Sequence, residues 1–183
     1  IVITPQQEAD IDIKATLNNL LIPYTSNYAG TLLPGIREYT VTPGEKTTTI
    51  SGKGKAGLKQ EENYYFFYLP VCYKGITGKS YAYYNTSRSK NLYLPASVDE
   101  NYSYDIQLPE NLTLCTPIQE KKIDNPIGSF KITLTSEGSS LHIELALQIK
   151  KQLITPAEYP AFRSLITEWT DRTRKPILFK TVQ

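Results

Sequence analysis

The alternation of apolar and polar residues predicts β-strands over most of the chain. Apolar residues occupy alternate positions from Ile11 to Leu17, which places one apolar face on a strand near the start. The longest alternation runs from Phe130 to Ile149 and is interrupted at Glu137-Gly138-Ser139. Two alternating runs separated by a short glycine-containing turn predict an antiparallel hairpin.

Proline and glycine residues interrupt the chain at intervals that leave room for strands and little for helices. Three segments end alike, in Phe67-Tyr68-Leu69-Pro70, Leu92-Tyr93-Leu94-Pro95 and Ile106-Gln107-Leu108-Pro109, and each predicts a strand stopped by proline. The segment Tyr64 to Leu69 is apolar at every position. We expect it to be a core strand that is either central in the sandwich or covered on both faces.

After Ile149 the pattern changes to a helical period. Thr155-Pro156-Ala157-Glu158 has the form of a capping box, with Thr155 as N-cap and Pro156 as the first helical residue. The apolar stripe that follows comprises Tyr159, Phe162, Leu165, Ile166 and Trp169. One amphipathic helix is therefore predicted, ending before Pro176, and residues 177–179 can supply a last strand.

Composition supports a mostly β fold. The 183 residues include 20 Thr, 18 Ile and 14 Tyr, which suit a pleated, half-buried surface. We predict an antiparallel β-sandwich with one amphipathic helix near the C-terminus, forming a single domain over residues 1–183.

Residues 47–62 are rich in Gly, Lys and Thr and are interpreted as a loop, with a sub-domain boundary near 52–63 as the alternative. Because the chain starts at Ile1 and contains no Met, we expect it to be a fragment or processed form of a larger protein.

Charge and motifs exclude several function classes. With 20 Lys and Arg against 18 Asp and Glu, the net charge of +2 is too small for a protein that binds nucleic acid by neutralising phosphates. No apolar run is long enough to predict a membrane span. No phosphate-binding glycine motif is present, and Gly52, Gly54 and Gly57 are interpreted as part of a flexible basic loop. We expect no cofactor.

Two cysteines and one histidine are the candidate nucleophiles and base. A pair of His142 with Cys72 or Cys115 would be needed for thiol catalysis. Both cysteines are predicted in strand-like segments, without a helix N-terminus to activate the thiol, and His142 is predicted to point away from the apolar face of its strand. We therefore predict no catalytic residue. Buried thiols are favoured over a disulfide, which the spacing leaves open.

Acidic residues and tyrosines give two further candidates. Asp99, Glu100 and Asp105 could form a weak calcium loop, but a solvated turn is the favoured interpretation and no metal site is predicted. The tyrosines could form a face that binds a glycan or a peptide, and the alternative is that they pack within the sheet. They are Tyr81, Tyr83, Tyr84 and Tyr93.

The second half of the chain resembles a known bacterial domain. The motifs are Arg88, Leu92-Tyr93-Leu94-Pro95, Leu108-Pro109, the Gly128 turn with its hairpin, and Ile154-Thr155-Pro156-Ala157-Glu158-Tyr159-Pro160-Ala161-Phe162-Arg163 before Trp169. In this order they resemble the C-terminal β-sandwich domain, of unknown function, of transglutaminase-like proteins from Gram-negative bacteria. The resemblance covers residues 64–183 well and the remainder loosely.

The resemblance implies a setting rather than an activity. The catalytic Cys-His-Asp residues of such proteins belong to a separate core, and no position of this chain matches them. It implies location in the periplasm or at the cell surface, with upstream domains of the same polypeptide as partners. We expect a non-catalytic accessory or interaction domain of a transglutaminase-like enzyme; the alternative is an independent carbohydrate- or peptide-binding module.

Overall fold

A computed structural model describes residues 7–18, 35–72, 76, 87–117 and 119–182. Within these ranges the chain is mostly antiparallel β-sheet with one helix near its C-terminus. The fold class predicted from the sequence is confirmed.

The larger sheet has seven strands, all paired antiparallel. In spatial order they are β2 (Ile36–Pro43), β3 (Thr47–Gly57), β1 (Glu8–Asn18), β7 (Val98–Gln107), β11 (Ser140–Ile149), β10 (Gly128–Glu137) and β9 (Gln119–Asn125). The predicted first strand and the predicted hairpin of β10 and β11 are confirmed. Gly138, in the hairpin turn, has φ of 58°, a left-handed conformation that glycine adopts without strain.

Two smaller sheets complete the β structure. The four-stranded sheet contains, in spatial order, β4 (Lys59–Glu61), β5 (Tyr64–Phe67), β13 (Ile177–Thr181) and β8 (Leu112–Leu114). A short antiparallel pair joins β6 (Leu92–Tyr93) to β12 (Leu153–Ile154). The predicted last strand after Pro176 is therefore confirmed as β13, which pairs with β5 and β8.

The helix α1 spans Tyr159–Arg174 and packs its apolar side against β10 and β11. Phe162 and Trp169 are completely buried, as the helical stripe predicted. Among the described residues no helix has the length and apolar character needed to cross a membrane.

The start of α1 differs from the predicted capping box. The helix begins at Tyr159 rather than Pro156, and Pro160 occupies its first turn. The Glu158 carboxylate does reach back to the Thr155 backbone N–H, at 3.0 Å, but the Thr155 hydroxyl donates to that same carboxylate instead of capping the helix. The motif therefore closes a turn before the helix.

The buried side chains form one cluster that includes the inner faces of the seven-stranded and four-stranded sheets and the apolar side of α1. Phe67 of β5 and Phe179 of β13 stack with ring centroids 5.8 Å apart. The Tyr104 hydroxyl of β7 donates to the Pro70 carbonyl at 2.8 Å, which ties the segment after β5 to the larger sheet.

Residues Thr47–Gly57 are not a loop, as the sequence predicted, but the strand β3. It lies between β2 and β1. Its buried positions include Ile50 and Gly52, while Lys53 and Lys55 point outward. Lys53 lies 2.7 Å from the Asp12 carboxylate and Lys55 lies 3.6 Å from that of Asp10, both on β1.

A glycine at an inward position explains why the sequence pattern did not predict this strand. A Cβ at Gly52 would lie 2.3 Å from Cγ2 of Ile36, so the absent side chain lets β2 approach β3 closely. Glycine thus occupies a position where an apolar side chain would have revealed the alternation. At Leu58 the chain passes from the larger sheet to the four-stranded one, inside the proposed boundary region 52–63.

Candidate functional site

The two cysteines lie just beyond strand ends, and the predicted placement within strands is wrong. Cys72 follows β5 and is buried; Cys115 follows β8 and is half-buried. Both are thiols, not joined by a disulfide. The Cys115 N–H donates to the Leu178 carbonyl at 2.8 Å, so its backbone extends the pairing of the four-stranded sheet.

His142 points outward from β11, as predicted, onto the exposed face of the larger sheet. Its Nδ1 lies 2.7 Å from Oδ1 of Asp105, which is directly opposite on β7, and its Nε2 lies 3.8 Å from Glu144. Cys72 is on the other side of this sheet, where its N–H bonds to the inward Tyr102. The structure therefore does not bring this histidine and thiol together.

The acidic segment from Asp99 to Asp105 is not a solvated turn or a calcium loop but the interior of β7. Asp105 points outward, and Glu100 points into the core. Because successive side chains of a strand point to opposite faces, these carboxylates cannot converge on one ion. Within the described ranges no three His, Cys, Asp or Glu side chains form a group that could hold a metal.

Glu100 is completely buried among apolar side chains. One carboxylate oxygen accepts a hydrogen bond from the Ile76 backbone N–H, and the other accepts one from the Tyr102 hydroxyl at 3.1 Å. The Tyr102 oxygen in turn accepts the Cys72 backbone N–H at 3.0 Å. We call Glu100, Tyr102 and the backbone amides of Cys72 and Ile76 the Glu100 network.

Aromatic rings pack around the Glu100 network. The Tyr102 ring is stacked on that of Tyr104, at 6.1 Å between centroids, and lies 5.9 Å from that of Trp169 on α1. Burial raises the pKa of Glu100 to about 7, although the Ile76 N–H and the Tyr102 hydroxyl favour the charged form. Burial and the neighbouring Glu100 also raise the pKa of Tyr102 well above its usual range.

The Glu100 network fastens the segment after β5 to the inner face of β7. Both carboxyl oxygens and the tyrosine hydroxyl are occupied by protein groups, so the geometry is that of a structural anchor. Sequence reasoning missed it because a glutamate interrupts the apolar alternation of Val98, Tyr102, Tyr104 and Ile106. A signal was nevertheless present, since Glu100 is in phase with those inward positions.

Of the predicted tyrosine face, Tyr81, Tyr83 and Tyr84 lie outside the described residues. Tyr93 belongs to β6, is 67% exposed and pairs across the strands with the half-exposed Leu153. The ligand-binding face thus stays a prediction.

A different group of exposed aromatic residues lies on β5 and at the residue that follows it. Tyr64 and Tyr68 are 49% and 46% exposed, so this segment is not covered on both faces. The alternative of a central strand is the one observed, because β5 lies between β4 and β13. Phe66 lies between them, 6.2 Å from the Tyr68 ring, and pairs with the exposed Leu178 of β13. We call Tyr64, Phe66, Tyr68 and Leu178 the aromatic row.

Comparisons with known proteins give one family and one solved structure. The family model described as a domain of unknown function with a solved structure (DUF3858) matches residues 63–179. A crystal structure of a protein described as a putative protease, from Parabacteroides distasonis, is 32% identical with a TM-score of 0.59. The match covers 66% of this chain and only 24% of that protein. A comparison with curated proteins gives no match.

Proposed function

Because this chain belongs to the DUF3858 family of domains of unknown function, we propose that it is a non-catalytic accessory domain that packs on the enzyme core of a larger protein. The observation that carries the proposal is the likeness to a part of a much longer protein: the match spans 24% of the Parabacteroides distasonis chain. The motifs from Arg88 to Trp169 further favour a transglutaminase-like core as the enzyme.

The chemistry of the described residues supports an accessory role. The Glu100 carboxylate binds a backbone amide and a tyrosine hydroxyl. His142 lies on an open sheet face beside Asp105, and Cys72 is buried on the opposite side of that sheet. Acyl transfer requires a nucleophile and a base within hydrogen-bond reach. These residues serve the fold instead.

We propose that the aromatic row is the contact with the core, and that its occupant is the polypeptide upstream of residue 7. Gln7 directly precedes β1, and its carbonyl accepts the Leu58 N–H at 2.8 Å. Leu58 directly precedes β4, whose Lys59 Nζ lies 5.9 Å from the centre of the Tyr68 ring. Gln7 is therefore hydrogen-bonded to the residue that precedes β4, and β4 contacts a row of apolar side chains of the kind that protein contacts bury.

Single substitutions in the full-length gene product test this contact. Tyr64→Ser and Tyr68→Ser should increase amide hydrogen exchange in β5 and in the upstream segment that covers it, because the apolar contact is lost. Tyr39→Ser is the matched control, since Tyr39 is also exposed, at 38%, but lies on β2 of the other sheet. Equal exchange in all three variants would contradict the proposed contact and leave the row as an independent binding surface.

The isolated chain should give only background rates with peptide and amine substrates. Assays of the chain and of the variants Cys72→Ala, Cys115→Ala and His142→Ala should be indistinguishable. A rate abolished by any of these changes would overturn the accessory role and make the chain an enzyme. We further propose location in the periplasm or at the cell surface, which fractionation of cells expressing the full-length gene product would test.

A further inference from the structure

A groove beside the first two turns of α1 has no part in the proposed function. It encloses about 510 Å³, within the range of roughly 300–1,000 Å³ usual for small-ligand sites. One wall is apolar and includes Ile123, Pro156 and Pro160. The polar side chains facing it include two arginines, Arg88 from the segment before β6 and Arg163 from α1.

Both arginines lie near Tyr159. The Arg88 Cζ lies 5.9 Å from the centre of the Tyr159 ring, and Arg163 is one helical turn beyond Tyr159. Burial raises the pKa of the Tyr159 hydroxyl, and the positive charges of both arginines oppose that shift. Both charges are therefore close enough to act on one hydroxyl group.

Arg88 also retains unused hydrogen-bonding capacity. Its Nε is buried and has no hydrogen-bond partner among the described residues. A buried donor without a partner costs free energy unless something binds it. An oxyanion in the groove would remove this cost.

The charge in the groove is unbalanced. Glu168 is the one carboxylate among its described lining residues, and Lys121 already pairs with it at 2.5 Å. Two guanidinium groups thus face the groove without an acidic partner in its lining. Arginine presents its donors in a planar fork that matches a carboxylate.

We propose that this groove binds a carboxylate group attached to a small apolar moiety, such as the C-terminal residue of a peptide or a free organic acid. Arg88 and Arg163 hold the carboxylate beside the Tyr159 ring. The apolar wall formed by Ile123 and the two prolines receives the attached group. This site is independent of the aromatic row.

Calorimetric titration with N-acetylphenylalanine tests the proposal. We expect saturable binding of the acid and little binding of its uncharged amide, N-acetylphenylalaninamide. Loss of a charged hydrogen bond should make Arg163→Gln at least roughly tenfold weaker. Arg88→Gln should weaken binding likewise, and Arg88→Lys should recover part of it because it keeps the charge and loses the fork.

Arg37→Gln is the control, since Arg37 is exposed on β2, at the far edge of the larger sheet, and should bind like the unmodified chain. Arg163 is exposed, so its replacement leaves the fold intact and keeps the test decisive if Arg88→Gln does not fold. Equal affinity for the amide, tighter binding of inorganic phosphate, or unchanged binding by Arg163→Gln would each overturn the proposal. A comparison of free benzoate with the acetylated amino acid distinguishes an organic acid from a peptide terminus.

Discussion

Glu100 is an ionisable residue in a position of β7 where its neighbours are apolar or aromatic. Transfer of a carboxylate from water into such surroundings is unfavourable, and its two hydrogen bonds recover only part of that cost. The raised pKa of about 7 expresses the remainder. What the residue contributes is a fixed position for the Ile76 backbone amide and, through Tyr102, for the Cys72 backbone amide.

The pH dependence of stability follows from this shift. Below pH 4.5, the ordinary pKa, Glu100 is protonated in both folded and unfolded chains. As the pH rises toward 7 the unfolded chain ionises first, so the free energy of unfolding falls, by about 3 kcal/mol when the folded-state pKa has been passed. Urea unfolding at a series of pH values should show Glu100→Gln gaining stability relative to the unmodified chain over this interval.

Glu144→Gln provides the control for that series. Glu144 is half-exposed on β11, and its hydrogen bond with Lys131 lowers the pKa of its carboxyl. Its contribution to stability is therefore present above the ordinary pKa and is lost as the pH falls, which is the opposite sign. If the two variants had the same pH dependence, burial of Glu100 would not be the cause.

The helix α1 closes the inner face of the larger sheet, and Trp169 is its main buried side chain. Trp169 is in contact range of the Tyr102 ring and is completely buried. Trp169→Ala should lower the free energy of unfolding by about 3–5 kcal/mol through the lost apolar surface and the remaining cavity. Thermal or urea unfolding measures this, with the exposed Thr167→Ala as control on the same helix. Equal stability of the two variants would mean that the helix does not anchor the core through Trp169.

The sequence predicted a strand or helix correctly where the alternation or helical spacing of its apolar residues was uninterrupted. The hairpin of β10 and β11 and the helix α1 have apolar side chains at nearly every inward position, so their patterns were clear. In β3 glycine replaces the inward side chain at residue 52, and in β7 a glutamate does so at residue 100. Close strand packing and a buried hydrogen-bond network are tertiary features, and local pattern does not reveal them.

At the scale of the whole molecule, the seven-stranded and four-stranded sheets share one core, and the chain crosses between them at Leu58 and again between β7 and β8. A shared core predicts one cooperative unfolding transition, with no separate unit before residues 52–63. Far-UV circular dichroism, Trp169 fluorescence and hydrogen exchange in β3 should therefore report the same midpoint. Earlier loss of β3 would instead favour the alternative of two sub-domains.

The candidate sites depend on distant parts of the chain, which limits what sequence reasoning could find. Arg88 and Arg163 face one groove although they are far apart in the chain, and the Glu100 network joins β7 to the backbone amides of Cys72 and Ile76. Residue types and spacing identified His142 and the two thiols as candidates. Only the folded arrangement shows that a sheet separates His142 from Cys72.

The position of β1 between β3 and β7 also determines when its backbone can be fully paired during synthesis. Leu17 pairs with Thr48 on one side and with Glu100 on the other. On a ribosome adding about 5–20 residues per second, β1 therefore waits roughly 4 to 17 s for its second neighbour after it has been synthesised. During that time one edge of β1 has unpaired amide and carbonyl groups that could pair with another nascent chain. This strand carries three charged side chains, Asp10, Asp12 and Lys14. Charges on an exposed edge strand oppose pairing with another chain, so they protect the unfinished sheet from aggregation.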